Sequence, residues 1–331
     1  CWNFKPHLVQ AMSDFRVFLR MQAQECLCPL NNLRLLPADD GLKLCPHDQL
    51  AEPAECFHCL VKRGEASGAL HQVERRLSAV GTPEYDQLLR KSLRQAEAVL
   101  VLNPRVADSF RPWCRRVEVV TWGMDPTRFP PPEDTSRTDG TVRLLFAGLS
   151  REPIKGFEVV RAACRILWQR RQDFQLIATG ESSGQTDPFV RMIGWQSQSE
   201  LPAWYRQADI CVVPTIAPDG LSRTSVEAMA SGRPVIASRI GGLPFTVDHG
   251  RTGLLCRPGD PQGWSEAIEQ LLDDADLRRR MGKAGRTEFE RRFRWEDVIE
   301  RSYRPLLAGH ADYRLTSGDD RELPDRLTFS G

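Results

Sequence analysis

The sequence predicts an α/β chain built on parallel, doubly wound sheets in two domains. Short apolar runs such as Ile210-Cys211-Val212-Val213 and Pro234 to Ser238 have the length and unbroken hydrophobicity of strands buried on both faces. Amphipathic helical stretches separate them: Phe157 to Gln169, Glu200 to Gln207, and Trp264 to Leu272 with Trp264, Ile268, Leu271 and Leu272 inward. From Val142 onward strand and helix alternate, as in crossover units rather than hairpins. A length of 331 residues suits two such domains.

Composition bounds the function. Hydrophobic content of 41% and charged content of 27% are those of an ordinary soluble globular protein. The net charge of +1 gives no strong attraction to a polyanion, so nucleic acid is not an expected partner. No apolar run approaches the roughly 18–20 residues of a membrane span, and no secretory leader pattern opens the chain. The first residue is Cys1, not Met, so a fragment or processed product is expected. Of the 10 cysteines, five fall between positions 26 and 59 without the even spacing of a disulfide framework. A reducing, cytoplasmic location is expected, with a peripheral membrane contact compatible with it.

In chain order, Leu8 to Phe15 reads as a strand followed by a loop. Residues 69–97 have helical spacing, with Leu88, Leu89, Leu93 and Ala96 on one stripe and a solvated charged face opposite. Ala98 to Leu102 reads as a buried strand, Val106 to Phe110 as a short helix and Val117 to Val120 as another strand. The Pro- and Thr-rich stretch 130–141 is a linker. It separates an amino-terminal domain, 1–129, from a ligand-binding domain, 142–295. Beyond it, 296–307 reads as a helix packing back on the first domain, and 308–331 as a flexible tail. Further strands are expected at Val142 to Ala147, Phe174 to Ala178, Val190 to Gly194 and Gly253 to Cys256. No G-x-G-x-x-G follows a strand, which argues against a dinucleotide oxidoreductase.

The stretch from Ile210 to Ser238 holds the densest chemistry. A strand leads into a loop with Asp219 and Gly220, Ser222 is placed to cap a short helix, and Gly232 ends it. In open parallel sheets, ligands collect at the carboxyl ends of strands, and helix N-termini there offer N–H groups to phosphate. Pyrophosphate is expected over Ser222, Arg223 and Thr224. Asp219 and Glu227, eight positions apart, can accept hydrogen bonds from a sugar and a ribose.

This segment resembles the E-x7-E region of retaining family-4 glycosyltransferases of GT-B fold, the glycosyl transferases group 1. The run Glu227-Ala228-Met229-Ala230-Ser231-Gly232-Arg233-Pro234-Val235-Ile236-Ala237 is similar to the family's E-A-M-A-x-G-x-P-V-V-A, and Asp219 stands in place of the first Glu. The resemblance spans about 85–295 and is strongest over 142–256. Gly148-Leu149-Ser150-Arg151-Glu152-Pro153-Ile154-Lys155-Gly156 resembles the family's G-R-x5-K-G; Lys155 matches the phosphate-binding lysine, and Arg151 is placed to replace the arginine missing at Leu149. Gly194-Trp195 resembles the turn that clamps the nucleobase through backbone groups. Thr121 to Asp125 with Phe129 resembles N-G-V-D-x-x-x-F. Tyr205 to Pro214 resembles Y-x-x-A-D-V-x-V-x-P, in which Asp209 reads as a cap. Gly241-Gly242-Leu243-Pro244 resembles G-G-x-P-E with Phe245 at the Glu, and His249 reads as a turn residue. A His-Asp pair often present near the sugar would fall at Ser13-Asp14.

The resemblance implies a fold of two Rossmann-like domains, the first incomplete or atypical. It implies a retaining hexosyltransferase taking a nucleoside-diphosphate sugar and a glycan, lipid or small-molecule acceptor. Asp219, Lys155 and Glu227 would be catalytic; Gly148, Arg151, Lys155, Gly194, Gly220, Leu221, Ser222, Arg223, Thr224 and Glu227 would bind the donor. The departures at Ser13, Leu149, Asp219 and Phe245 keep open a degenerate relative that only binds a nucleotide sugar or a protein, and a nucleotide-sugar epimerase is a third reading. No cofactor is required for the chemistry. Cys26, Cys28, Cys45, Cys56 and Cys59 are candidate ligands of one structural zinc, set against reduced or loosely paired cysteines; a similar cysteine-rich insert occurs in some family-4 members.

Overall fold

The computed structural model describes residues 6–30, 33–38, 41–63, 69–130, 140–181 and 187–308. In the first half, Phe18–Arg20 (β1) is followed by the hairpin Leu35–Ala38 (β2) and Gly41–Leu44 (β3), then by Ala98–Val101 (β4) and Val117–Val119 (β5). The sheet proper is parallel and has three strands, in the order β1-β4-β5. Its middle strand is buried along its whole length, as its apolar run requires. On one face the helix Pro83–Gln95 packs Tyr85, Leu89 and Leu93 into a core with Val99 and Val101. Thr82 caps that helix through Tyr85 N–H.

The expected strand over Leu8 to Phe15 is instead a helix, Pro6–Ala11. Pro6 opens it, where a missing N–H costs nothing. Pro6 and Val9 point inward at helical spacing, while Leu8, Met12 and Phe15 are exposed. Gln10 Nε2 donates to Ser92 Oγ and Gln95 Oε1. The first strand comes only after this helix, at Phe18–Arg20.

The second half carries Val142–Phe146 (β6), Phe174–Ala178 (β7), Val190–Met192 (β8), Ile210–Val213 (β9), Val235–Ser238 (β10) and Gly253–Cys256 (β11). All pair in parallel, in the order β11-β10-β9-β6-β7-β8. The chain winds outward from β6 in one direction, returns to β9, and winds outward in the other. The direction therefore reverses between β6 and β9, which is where a crevice opens at the carboxyl edge of such a sheet. Helix Phe157–Trp168 and helix Pro261–Asp273 bury Val160, Leu167, Trp264 and Ile268 on one face of the sheet. Helix Arg223–Ala230 and helix Ala275–Arg292 cover the other, through Val226, Met229 and Phe289.

The chain passes between the halves twice. Residues 131–139 of the stretch read as a linker lie outside the described residues. Beside it, Met124 pairs with Arg294, and Met124 N–H donates to Phe293 O at 2.7 Å. After Trp295 the chain lies on the first sheet: Val298 and Leu306 pack on Ala98, Leu100 and Val120. Arg16 donates to Leu306 O and Arg20 to the Tyr303 hydroxyl. Residues 309–331, most of the stretch read as a tail, are not among those described. Among the described residues no helix is long and apolar enough to cross a membrane.

Candidate functional site

A cavity of about 260 Å3 lies at the carboxyl edge of the second sheet, over the β6–β9 reversal. Ala147, Gly148 and Leu149 leave β6 into it, Thr179 and Gly180 leave β7, and Pro214 and Thr215 leave β9. Lys155, Asp219, Ser222, Arg223 and Thr224 complete its polar wall, with Trp195 and Gln196 at the rim. Lys155, Arg223 and Asp219 are its only charged side chains among the described residues.

Each is placed by local backbone chemistry. Lys155 ends a single 3-10 turn, Pro153–Lys155, and Gly156 follows at φ +73. That left-handed residue both closes the turn and opens helix Phe157–Trp168. A side chain there would overlap Pro214 O, so the turn lies directly on the exit of β9. Thr215 Oγ1 donates to Ile154 O at 2.8 Å and ties the two loops together. Gly148 N–H donates to Thr179 Oγ1 at 2.8 Å, which holds the β6 exit against β7.

Ser222 caps helix Arg223–Ala230 by accepting from Ser225 N–H, and Gly232 ends it at φ +65. Arg223 and Thr224, whose N–H groups have no partner within the helix, line the cavity. Thr224 Oγ1 donates to Ala147 O at 3.2 Å, so the helix start and the β6 exit share one edge.

Asp219 sits in a crowded loop. Gly220 N–H donates to the Asp219 carboxylate at 2.8 Å, and Gly242 N–H donates to Asp219 O at 2.9 Å. Asn103, just beyond β4, donates to Gly220 O at 2.6 Å and caps its own helix through Val106 N–H. A side chain at Gly220 would also overlap Gln22 O. The Asp219 loop is therefore where the two halves touch beside the cavity. The first-half residues that reach this loop are Gln22, after β1, and Asn103, after β4, whereas Ser13-Asp14 lies before β1.

Glu227 does not line the cavity. It is 3% exposed, and its two oxygens accept from Arg223 Nε and the Tyr205 hydroxyl, each at 2.9 Å. Burial pushes its carboxyl above the usual range, and Tyr205 and Arg223 pull it partly back. Arg223 bridges Glu227 to the pocket, with its Nη2 on Gln198 Oε1 at 2.6 Å.

Other expected donor residues are placed differently. Leu221 is buried in the core beneath the loop rather than facing the cavity. Arg151 pairs with Glu181 at 2.7 Å, with both side chains largely in solvent, outside the cavity wall. Leu149, where the resemblance has an arginine, is on the wall. Gly194 adopts φ +72 and its carbonyl accepts from Gly180 N–H at 2.8 Å. Beside it the Trp195 ring, to which the sequence assigns no contact, is 72% exposed at the rim. Phe245 stacks under the Arg292 guanidinium at 4.2 Å. Asp209 accepts from Arg143 N–H and His249 Nδ1 from Leu255 N–H, which makes both turn residues.

Away from this cavity, the cysteines of the first half separate into two groups. Cys26, at φ +70, points into the core beside Tyr85. Cys28, Cys45, Cys56 and Cys59 line another cavity. Burial, and then the neighbouring Cys28, Cys45, Asp48 and Cys59, push the Cys56 thiol up to about 12.

Residues 141–274 match the family described as Glycosyl transferases group 1. The chain is similar to D-inositol 3-phosphate glycosyltransferase of Pseudarthrobacter chlorophenolicus, 36% identical over 190 residues that cover 51% of this chain and 45% of the relative. It is also similar to a glycogen synthase of Mycobacterium tuberculosis, 29% identical over 280 residues, covering 80% of this chain and 65% of the relative. The chain spans about half the length of the curated D-inositol 3-phosphate glycosyltransferases it matches. Among solved structures it resembles sucrose-phosphate synthase from Thermosynechococcus elongatus, with a TM-score of 0.58, 22% identity and 91% of each chain covered. It also resembles Anabaena Alr3699/HepE in complex with UDP, with a TM-score of 0.57, 19% identity and 67% of each chain covered. These structural likenesses place the fold as α/β of GT-B type.

Proposed function

We propose, from the premise that residues 141–274 carry a glycosyl transferases group 1 domain, that this chain transfers a hexosyl group from a nucleoside-diphosphate sugar to an acceptor hydroxyl. The observation that carries the reading is the meeting of Lys155, Arg223 and the start of helix Arg223–Ala230 around one cavity at the sheet's reversal point. That arrangement suits a diphosphate: two cations and oriented N–H groups, with a single carboxylate, Asp219, further along the wall. The Anabaena protein of like fold is a complex with UDP, which supports a nucleotide donor.

In this reading the diphosphate lies over Ser222 to Thr224, and Trp195 at the rim gives the base a face to stack on. Asp219 accepts hydrogen bonds from the donor sugar. The bond from the anomeric carbon to the phosphate oxygen breaks, the acceptor oxygen bonds that carbon, and the acceptor proton leaves with the nucleoside diphosphate. Charge builds on the leaving phosphate, where Lys155 and Arg223 hold it; donors aimed at developing charge are the largest catalytic term in many enzymes. Retention of the anomeric configuration follows from attack on the face that the diphosphate leaves. The acceptor, a glycan, lipid or small molecule, enters from the first-half side, where Gln22 and Asn103 meet the Asp219 loop.

A thermal-shift series with nucleoside diphosphates tests the site. A ligand at 100 times its Kd adds about 2.7 kcal/mol of stability. No shift with any nucleoside diphosphate would sink the reading. Incubating several nucleotide sugars with and without acceptors then separates a transferase, which releases nucleoside diphosphate, from a relative that only binds. Free sugar released without an acceptor would favour the epimerase.

Glu227 lies off the cavity wall and holds Arg223, so it is a positioning residue that acts on the donor through Arg223. Glu227→Gln is expected to lower donor affinity about ten- to a hundred-fold, the cost of one charge-assisted contact. Stability at neutral pH is expected to change by under about 1 kcal/mol, because burial already disfavours the charge being removed. The raised carboxyl of the folded state means that the folded protein binds this proton more tightly than the unfolded chain. This contribution to stability is therefore full below the unfolded Glu value and is lost as the pH rises through the raised folded one. Titration calorimetry and denaturant melts on the same variant check both numbers. Unchanged donor affinity would remove Glu227 from the site.

A further inference from the structure

The second cavity, of about 210 Å3, is walled by four cysteines from three separate stretches. Cys28 follows the loop after β1, Cys45 follows β3, and Cys56 and Cys59 lie on helix Pro53–Arg63. Cys56 and Cys59 are three apart, so they sit on one face of that helix. Cys28, Cys45 and Cys56 are buried. None of the described cysteines is paired in a disulfide. Among the described residues no three metal-ligating side chains are already drawn onto one point, so the four thiols surround a space rather than a fixed centre.

Side chains add to the hairpin and helix in holding the backbone around that space. The Arg34 guanidinium donates to the carbonyls of Cys45, Pro46 and His47 at 3.2, 3.0 and 2.9 Å. Cys45 N–H returns to Arg34 O at 2.7 Å. Gln49 ties this loop to the other one, by its side chain to Cys26 O and by its N–H to Leu27 O. Cys26 itself is turned away. Its neighbours are Tyr85 and the first-half core, and it is not on the cavity wall.

We propose that Cys28, Cys45, Cys56 and Cys59 bind one zinc ion, and that Cys26 is not a ligand. Four thiolates from a helix pair and two loops select zinc among common divalent ions, because sulfur ligands suit it and carboxylate-preferring ions reject them. Zinc with four thiolates carries two net negative charges. Lys62 and Arg63 stand on the same wall and supply two positive ones. The metal would fasten the Cys28 end of the loop that begins at Met21. That loop carries Gln22, whose carbonyl abuts Gly220. The ion would therefore anchor the loop that touches Gly220, beside Asp219, with no part in the chemistry.

Elemental analysis of protein purified without chelator tests the assignment. About one zinc per chain is expected. Cys26→Ser is expected to keep it, and Cys45→Ser and Cys59→Ser to lose it. Because a serine variant can misfold for want of the metal, the wild type supplies an independent readout. Titration with an organomercurial should release the zinc to a colorimetric indicator as four thiols react, and a chelator should render those four reactive. Absence of zinc, iron in its place, a disulfide among the four, or zinc lost equally from folded Cys26→Ser would each overturn the assignment.

Discussion

Gly156→Ala is expected to destabilise the protein by about 2–5 kcal/mol, a large share of the roughly 5–15 kcal/mol that holds a domain folded. Two costs add at that position. A residue with a side chain pays roughly 1–2 kcal/mol to hold the left-handed conformation, here φ +73. The new methyl group would also overlap Pro214 O, a backbone atom that cannot swing aside. Relieving that contact moves either the Lys155 turn or the exit of β9, and both are cavity walls. Gly259→Ala is the control: φ is +71 there, and nothing lies within 4 Å of an added Cβ. It should cost only the roughly 1–2 kcal/mol of the left-handed conformation. Urea melts of the two variants check the difference, and equal midpoints would show that the Pro214 contact is not a constraint.

Lys155→Ala is expected to weaken nucleoside-diphosphate binding about 10- to 150-fold and nucleoside binding hardly at all. A contact between a charged donor and a phosphate contributes about 1.5–3 kcal/mol, and only the diphosphate offers one. Lys155 stands on the turn between the β6 and β9 exits, whereas Arg223 shares its charge with Glu227. Lys155→Arg is the useful companion. It restores charge but not shape, since a planar fork replaces a point charge. Partial rescue would assign the loss to charge. Calorimetry with a nucleoside and its diphosphate on each variant measures this, and equal losses for both ligands would make Lys155 a structural residue.

Much of the second half is legible in the sequence because its physics is local. The runs at β7, β9 and β11 are buried on both faces and read as strands with correct ends. The Ser222 cap and the Gly232 stop are one-residue signals that the structure uses as such. Helix Ala275–Arg292 is hard to read, because charged residues and glycines dilute its apolar stripe of Leu277, Met281 and Phe289. Its inward face includes Gly282 and Gly285, small residues that let it approach Gly232 and Met229 closely. In the first half, β1 is three residues long and takes its cover from Tyr303 and Leu306, far along the chain, so nothing near it marks it as buried.

The site is legible by motif and less so by contact. Lys155, Asp219, Ser222, Arg223 and Thr224 share one cavity, as their spacing implies. The occupation of Glu227 by Arg223 and Tyr205 depends on a helix neighbour and on a residue from another helix, and only the second is hidden. The place of the Trp195 ring is hidden too, because a lone aromatic in a turn looks like core until its exposure is known.

The cover that Val298 and Leu306 give to Ala98, Leu100 and Val120 has a consequence for synthesis. Arg16 and Leu306 are 290 positions apart, yet they share a hydrogen bond. A ribosome adds roughly 5–20 residues per second, so the first sheet emerges many seconds before its outer face can be covered. During that interval an apolar surface stands open, and the six-stranded half folds beside it. The order of manufacture is thus the reverse of the order of completion: the half that is made first is the half that finishes last.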